Sequence, residues 1–275
     1  MKKKLLSMVV SLGIGALSLA GCANVGITSR YDGADLYSKG GAEIEKTIDA
    51  IEIHWISGSV AVEYDDGNTV RFSETANTEL TDDTSLYFRL EGKTLKLQYM
   101  RSGARGESKM KKDLIVCLPR EMKPKKLSVE TVSASVSLQG LCVGKIEIET
   151  SSGTVDAKLA QIGELSLETV SGNAELRFPT IGTLEIDAVS ASVNAVALDA
   201  APRRMEAESV SGDITLRIPK TDGFSLKHET VSGDFHCDFP YEKKANLYLV
   251  SGGNCSYDVE STSGDLSILY AEETN

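Results

Sequence analysis

Acidic residues recur at one fixed place in a repeated five-residue motif, which could form a binding strip. The motif reads Glu-Thr-Val-Ser-Gly in its clearest copies, at residues 168–172 and 229–233. Carboxylate oxygens are suitable ligands for Ca²⁺, and a row of them could instead attract a basic partner. The alternative is a solvated face that keeps a repeat protein soluble. The candidate strip consists of Glu130, Glu149, Glu168, Asp187, Glu208, Glu229 and Glu260.

The fourth residue of every copy is serine, which could act as a nucleophile beside a histidine. The chain has only three histidines, His54, His228 and His236, and we expect His228 to be a core residue. We therefore predict structural serines that face inward at a corner, no catalytic residues and no enzyme activity. The central serines are Ser133, Ser152, Ser171, Ser190, Ser211, Ser232 and Ser263.

The spacing of the motif indicates a solenoid. Successive central serines are 19, 19, 19, 21, 21 and 31 residues apart, and a fixed period near 20 is typical of stacked repeats. Apolar residues alternate with period two on both sides of the motif, which predicts two strands with one buried face each. We predict an all-β fold, a parallel β-solenoid with coils of 19–21 residues. The handedness of the coil stays open.

The same alternation extends the solenoid upstream of the first clear motif. Residues 51–64 and 86–99 both fit a strand, a corner and a second strand, with the second corner at Gly92. The solenoid should therefore start near Thr47. Residues 74–84 and 101–112 are expected to be loops, and residues 241–256 an outward hairpin or loop.

The N-terminus has the features of an exported lipoprotein. Three lysines precede an apolar stretch that is short for a membrane span and ends in Leu-Ala-Gly-Cys at residues 19–22. This string resembles a lipobox, which implies cleavage before Cys22 and acylation of its thiol with chains such as palmitate. We predict a signal peptide at 1–21, a tether at 22–45, and a solenoid domain at 46–275 on the extracytoplasmic side of the membrane. Whether that membrane is the inner or the outer one stays open.

Charge and cysteine content limit the choice of partners. Three lysines and no acids leave with residues 1–21, so 29 basic and 40 acidic residues become 26 and 40, a net charge of −14. Nucleic acid is excluded as a partner, because its binding depends on neutralising phosphates. Disulfides are possible outside the cytoplasm, with three possible pairings among the cysteines after Cys22. Those cysteines are Cys117, Cys142, Cys237 and Cys255, and none forms a CxxC pair that would suggest zinc.

The lipobox and the repeated Glu-Thr-Val-Ser-Gly coils together resemble the DUF4097 family of bacterial envelope proteins. The resemblance covers about residues 46–271. It implies a β-strand repeat fold and an adhesin-like role, but no functional residues. We therefore expect a non-catalytic envelope lipoprotein that binds cell-wall material, a host surface or another envelope protein. No cofactor is expected, apart from the Ca²⁺ considered above. The alternative is a carbohydrate-active β-helix protein that binds or cleaves polysaccharide.

Overall fold

The computed structural model describes residues 26–220, 223–250 and 254–271, so the predicted signal peptide and Cys22 lie outside the described residues. Within this part there is one short 3-10 helix, Ala34–Leu36, and no helix that is long and apolar enough to cross a bilayer. The strands in chain order are β1 (Ile27–Thr28), β2 (Ser38–Lys39), β3 (Ala42–Ile44), β4 (Ala50–Trp55), β5 (Gly58–Asp65), β6 (Val70–Ala76), β7 (Tyr87–Glu91), β8 (Thr94–Gln98), β9 (Arg105–Gly106), β10 (Lys112–Pro119), β11 (Lys126–Thr131), β12 (Ser135–Thr150), β13 (Val155–Thr169), β14 (Ala174–Phe178), β15 (Thr183–Ala188), β16 (Val193–Ala197), β17 (Arg204–Ser209), β18 (Ile214–Ile218), β19 (Phe224–Thr230), β20 (Phe235–Cys237), β21 (Tyr241–Lys244), β22 (Leu247–Val250), β23 (Cys255–Ser261) and β24 (Leu266–Tyr270).

Two faces of parallel strands form the body of the protein. The first face has the order β8, β4, β11, β12, β13, β15, β17, β23, β19. The second face has the order β10, β5, β12, β13, β14, β16, β18, β24, β20. Strands β12 and β13 contribute to both faces, because each runs from the second face of one coil into the first face of the next. The predicted all-β fold of stacked parallel strands is confirmed.

Period-two alternation places every second side chain in the core between the faces. On the first face Ile146, Leu165, Leu184 and Met205 are successive register partners, and each is at most 1% exposed. Full burial of such a side chain contributes about 1.5–3 kcal/mol. A single coil cannot bury its own apolar side chains, so the stacking of coils supplies this stabilisation.

The central serines at the corner point outward, not inward as predicted, and they are exposed in all seven copies. The expected inward serine ladder is wrong, although the serines do bond along the stack. The Ser171 hydroxyl, for example, donates to the carbonyl of Ser151 in the adjacent coil at 3.1 Å, and the bond recurs in every copy. The inward residue is instead Gly172, where a Cβ would lie 1.9 Å from the carbonyl oxygen of Gly153. The backbones of neighbouring coils approach so closely here that the serine has to turn outward.

The coils do not stack in chain order at the C-terminal end. Strand β23 lies between β17 and β19, and β24 lies between β18 and β20. The coil of Ser263 is therefore inserted between those of Ser211 and Ser232. The segment expected as an outward hairpin or loop does contain a hairpin, β21–β22, but β22 pairs antiparallel with β19 and covers the end of the first face.

The N-terminal end also differs from the prediction. Residues 86–99 are not a coil around Gly92, because β7 and β8 form an antiparallel hairpin with Gly92 at φ 61°. Strands β8 and β10 form the outermost coil, and β6 closes the second face by pairing antiparallel with β10. Residues 26–45, expected as a tether, instead pack onto this end. Within them β2 pairs with β7, and β3 pairs with β6.

Several single side chains lie where the alternation predicts. His228 is 6% exposed and Trp55 is 2% exposed, so both are core residues as expected. Cys117, Cys142 and Cys237 are partly buried free thiols. None of these three takes part in the disulfides that the sequence left open.

Candidate functional site

The carboxylates at the first position of the motif form one file along the first face. Each is the register partner of the next on a neighbouring strand, so adjacent backbones are about 4.8 Å apart. The structure thus brings together every residue of the sequence-predicted strip, in an order altered only by the inserted coil. We call this set the acidic file, in spatial order Glu130, Glu149, Glu168, Asp187, Glu208, Glu260 and Glu229.

Each end of the acidic file meets a basic side chain. His54 is the register partner of Glu130, and its Nδ1 lies 2.5 Å from Oε2 of that glutamate. At the other end, Nζ of Lys227 lies 3.1 Å from Oε1 of Glu229 and 4.0 Å from Oε1 of Glu260. The lysine holds the pKa of the Glu229 carboxyl below its usual range. Lys227 therefore partly neutralises one end of the file, and His54 is hydrogen-bonded to the other end.

Two carboxylates next to the His54 end of the acidic file have raised pKa values. Partial burial, followed by repulsion from Glu130, Glu168 and Glu147, raises the pKa of Glu149 to about 7. Burial and repulsion from Glu147 and Glu185 also raise the pKa of Glu168. Like charges opposed across neighbouring strands are destabilising. Glu149 and Glu168 would therefore gain from a positively charged partner.

A second, interrupted set of acids lies two residues earlier on four of these seven strands, and basic neighbours offset part of its charge. Nζ of Lys126 and Nζ of Lys145 lie 2.6 Å and 3.0 Å from the Glu147 carboxylate. Burial alone would raise the pKa of Glu147, but the two lysines hold it below its usual value. Arg204 similarly pairs with Glu206. The acidic file therefore remains the main concentration of negative charge on this face.

The described residues contain no group of three or more His, Cys, Asp or Glu side chains placed to hold a metal ion. Ca²⁺ takes about 6–8 oxygen ligands, whereas the acidic file offers one carboxylate per strand. The predicted Ca²⁺ binding therefore stays a prediction without a built site.

His228 and His236 contact an aromatic ring and a carboxylate, respectively, and not a serine hydroxyl. The ring of His228 packs beside that of Phe235 with centroids 5.6 Å apart, and burial followed by the charge of Lys243 lowers its pKa. Nε2 of His236 lies 3.4 Å from Oδ1 of Asp238. Across residues 26–220, 223–250 and 254–271, no serine hydroxyl is bonded to a histidine ring, and the central serines use their hydroxyls on backbone carbonyls.

A cleft of about 390 Å³ opens at the His54 end of the acidic file. Its floor is the outer surface of β8, β4 and β11, and its wall is the segment 28–32. Strand β1 holds this wall in place by pairing with β9. The backbone N–H of Tyr31 also donates to the hydroxyl of Ser102 at 3.0 Å. The cleft exists because the segment expected to be a tether folds back over the first face.

Sequence reasoning missed this cleft, although the repeat contained a signal. At the first motif position the seven repeat coils carry an acid. The two outermost N-terminal coils carry His54 and Gln98 instead. This change of residue type coincides with the cleft, and Gln98 is buried to 5% exposure.

Stacked parallel strands with exposed corner serines define a β-solenoid class of protein. A family model described as Toastrack DUF4097 matches residues 45–269, and the chain belongs to this family. No curated protein matches the chain. Similar solved structures include a "putative lipid binding protein" from Parabacteroides distasonis, with 20% identity, a TM-score of 0.49, and 89% of this chain and 100% of that chain covered. A "putative adhesin" from Bacteroides fragilis has 13% identity and a TM-score of 0.49, with 85% and 97% covered. A "putative cell adhesion protein" from Clostridium sporogenes has 12% identity and a TM-score of 0.35, with 86% and 100% covered.

Proposed function

We propose that this chain is a non-catalytic lipoprotein of the cell envelope, anchored through a lipid on Cys22, that binds a basic partner protein along the acidic file. The first motif position is acidic in all seven coils, and this observation carries the proposal. The outward position two residues earlier is acidic in only four of the same seven coils, and the other three carry Ser128, Ser166 and Lys227. An acid is thus retained more strictly at the first motif position than at this neighbouring outward position, which supports a binding role for the acidic file.

The strand spacing favours a helical partner. Six intervals of about 4.8 Å make a file about 29 Å long, close to the ~30 Å length of a 20-residue helix. A helix with one basic residue per turn places these residues about 5.4 Å apart. Over the whole file, the difference between this repeat and the spacing of the carboxylates adds up to only about 4 Å. In an extended strand, residues on the same side are ~6.7 Å apart, and the difference from the spacing of the carboxylates adds up to about 11 Å over the file. A helix with one basic stripe therefore fits the file better than an extended chain.

Peptide binding tests the role of the acidic file. The protein is titrated with a labelled 20-residue helical peptide that carries lysines on one stripe, and with a peptide of equal composition whose lysines are dispersed. We expect tighter binding of the striped peptide, weakening with salt because exposed charges are screened beyond about 10 Å at 0.1 M. The double variant Glu149→Gln/Glu168→Gln should bind at least tenfold more weakly.

The matched control is Glu63→Gln/Glu175→Gln, which removes the same charge from exposed positions on the second face. Equal binding of the two peptides, or equal losses in both double variants, would show only nonspecific attraction to a polyanion. Tighter binding of soluble cationic cell-wall polymer than of the striped peptide would point to cell-wall material as the partner. Crosslinking in native envelopes followed by affinity purification then identifies the natural partner.

Metabolic labelling with an alkyne analogue of palmitate tests the anchor. Labelled protein should appear in the membrane fraction, and Cys22→Ser should abolish both the label and the membrane association. The control Cys117→Ser removes a partly buried thiol of the solenoid and should leave both unchanged. A labelled protein in which Cys22 has been replaced would contradict the proposed anchor.

A further inference from the structure

The cleft at the N-terminal end of the first face is built from paired polar side chains. On its floor, His54 is bonded to Glu130, and Nζ of Lys96 lies 3.3 Å from Oε2 of Glu52. These four side chains keep between 27% and 40% of their surface exposed. They are therefore fixed by each other and still reachable by a ligand. In concave ligand sites a few placed polar groups fix the orientation of the ligand, and these paired side chains could act in that way.

The rim of the cleft adds side chains with unused hydrogen-bonding capacity. Arg30 and Asp32 are both exposed and line the cleft. Among the described residues neither makes an ion pair or a side-chain hydrogen bond. The phenol oxygen of Tyr31, between them in sequence, is buried without a hydrogen-bond partner in the described part of the chain. Burial raises the pKa of Tyr31 to about 12, and its phenol oxygen has no surface open to the cleft.

The charges in the cleft nearly balance, which restricts the class of ligand. Three acids, Glu52, Glu130 and Asp32, face two permanent cations, Arg30 and Lys96, together with the imidazole of His54. A phosphate would be repelled by three carboxylates, and a polyamine would meet the cations. An uncharged ligand with many hydroxyl and amide groups meets donors and acceptors on all sides instead. The volume of about 390 Å³ lies at the lower end of the usual range for small-molecule sites, roughly 300–1,000 Å³.

We propose that this cleft binds an uncharged saccharide of one or two rings. Planar amide, imidazole, guanidinium and carboxylate groups can each hold a hydroxyl at a defined angle. The side chains of Gln98, His54 and Arg30 supply these groups, and Glu52 and Glu130 accept from ligand hydroxyls. The site goes beyond the proposed acidic-file function, since it needs neither the middle of the file nor a basic partner.

The protein contains a built-in reporter for the test. Trp55 is the sole tryptophan of the chain and lines the cleft at 2% exposure. Its indole Nε1 donates to the carbonyl of Lys112 at 2.8 Å, and its ring lies edge-on to Tyr99 with centroids 5.0 Å apart. A ligand that settles above His54, the residue before this tryptophan, should change its fluorescence.

The experiment titrates the protein with N-acetylglucosamine, chitobiose, glucose, maltose and galactose, by fluorescence and by calorimetry, after a glycan array has ranked a broad panel. We expect saturable binding of at least one saccharide. Arg30→Ala and His54→Gln should each raise its Kd at least tenfold, which corresponds to about 1.4 kcal/mol. The matched controls Arg203→Ala and His236→Gln replace exposed residues away from the cleft and should leave Kd unchanged.

Three results would overturn the proposal. The first is no binding on the array and none by calorimetry. The second is saccharide binding that survives both cleft variants while their melting temperatures match that of the unaltered protein. The third is tighter binding of inorganic phosphate or spermidine than of any saccharide, with loss in Arg30→Ala or His54→Gln. Because Glu149→Gln/Glu168→Gln leaves the cleft intact, it should bind saccharide normally even where it loses the striped peptide.

Discussion

Replacing Glu149 with glutamine should stabilise the fold above neutral pH while it weakens the binding of a basic partner. Burial and the neighbouring carboxylates Glu130 and Glu168 raise the pKa of Glu149 from 4.5 to about 7. A raised pKa means that the folded chain holds this proton more tightly than the unfolded chain. The stabilisation is complete below pH 4.5 and is lost as pH rises to about 7. Above that pH, the folded protein carries a strained charge that glutamine removes.

The expected gain is about 1–2 kcal/mol. A pKa rise from 4.5 to about 7 sets a ceiling near 3.4 kcal/mol, at about 1.36 kcal/mol for each factor of ten. Glu149 is partly exposed, so solvent screening reduces that figure. Coulomb's law gives an independent value of about 0.9 kcal/mol for each neighbour ~4.8 Å away in water, before screening by salt. Two register neighbours bring the sum to about 1.7 kcal/mol, in the same range.

Urea unfolding at pH 5 and pH 8, at low and high salt, provides the assay. The variant and the unaltered protein should be nearly equal in stability at pH 5, and Glu149→Gln should be more stable at pH 8, by less as salt rises. Glu63→Gln removes one charge from the second face and should show no such pH dependence. If Glu149→Gln is no more stable than the unaltered protein at pH 8, the carboxylate is not under strain and the electrostatic argument for the file is refuted.

The packing and the charges lead to four further predictions. Lys112 is fully buried, with its Nζ 2.6 Å from Oε2 of Glu74, so Lys112→Met should cost about 3–5 kcal/mol in urea unfolding and Lys112→Met/Glu74→Gln should recover part of it. Because burial lowers the pKa of Lys112 to about 8, the unfolded chain holds more protons above that pH, and stability should rise from pH 8 to 10 in the unaltered protein but not in Lys112→Met. Gly172→Ala should cost about 1–3 kcal/mol, because its Cβ would meet a backbone carbonyl at 1.9 Å, whereas Ala191→Gly at the same corner position should cost no more than ~1 kcal/mol. Ca²⁺ and Mg²⁺ should raise the melting temperature equally by screening the acidic file, and a shift specific to Ca²⁺ would reveal a calcium site.

The sequence predicted the strands well because alternation is a local property. Ile146 and Ile148 point inward wherever their strand lies in the stack, so the pattern reports burial without knowledge of the neighbours. The order of coils is a different matter. The coils of Ser211, Ser232 and Ser263 have similar motifs, so any of them could stack on any other. Their local sequences therefore do not reveal that the coil of Ser263 is inserted between the other two. The insertion accompanies the hairpin of β21 and β22, residues 241–250, which carries no motif.

The errors at single positions also have physical causes. Period-two counting placed Ser171 inward, but the chain turns at the corner and Gly172 takes the inward place. Lys112 lies at the end of a stretch expected to be a loop, and its charge concealed its position in the core, where it lies 4.4 Å from the centroid of the Tyr99 ring. The acidic file could be predicted because it follows the repeat. The cleft could not, since it arises where a non-repeat segment folds over β4 and β8.

Glu130 belongs to both proposed sites, and this shared carboxylate links them. It begins the acidic file and is also bonded to His54 on the floor of the cleft. A saccharide that holds His54 in place would keep Glu130 hydrogen-bonded to His54. One fewer carboxylate would then be available to a basic partner. A basic partner that draws Glu130 into the file would release the His54 ring from the position that the saccharide needs. Coupling between two binding sites is reciprocal, so each ligand should weaken the other by the same factor. The effect should be small, because Glu130 alone among the seven carboxylates of the file lines the cleft.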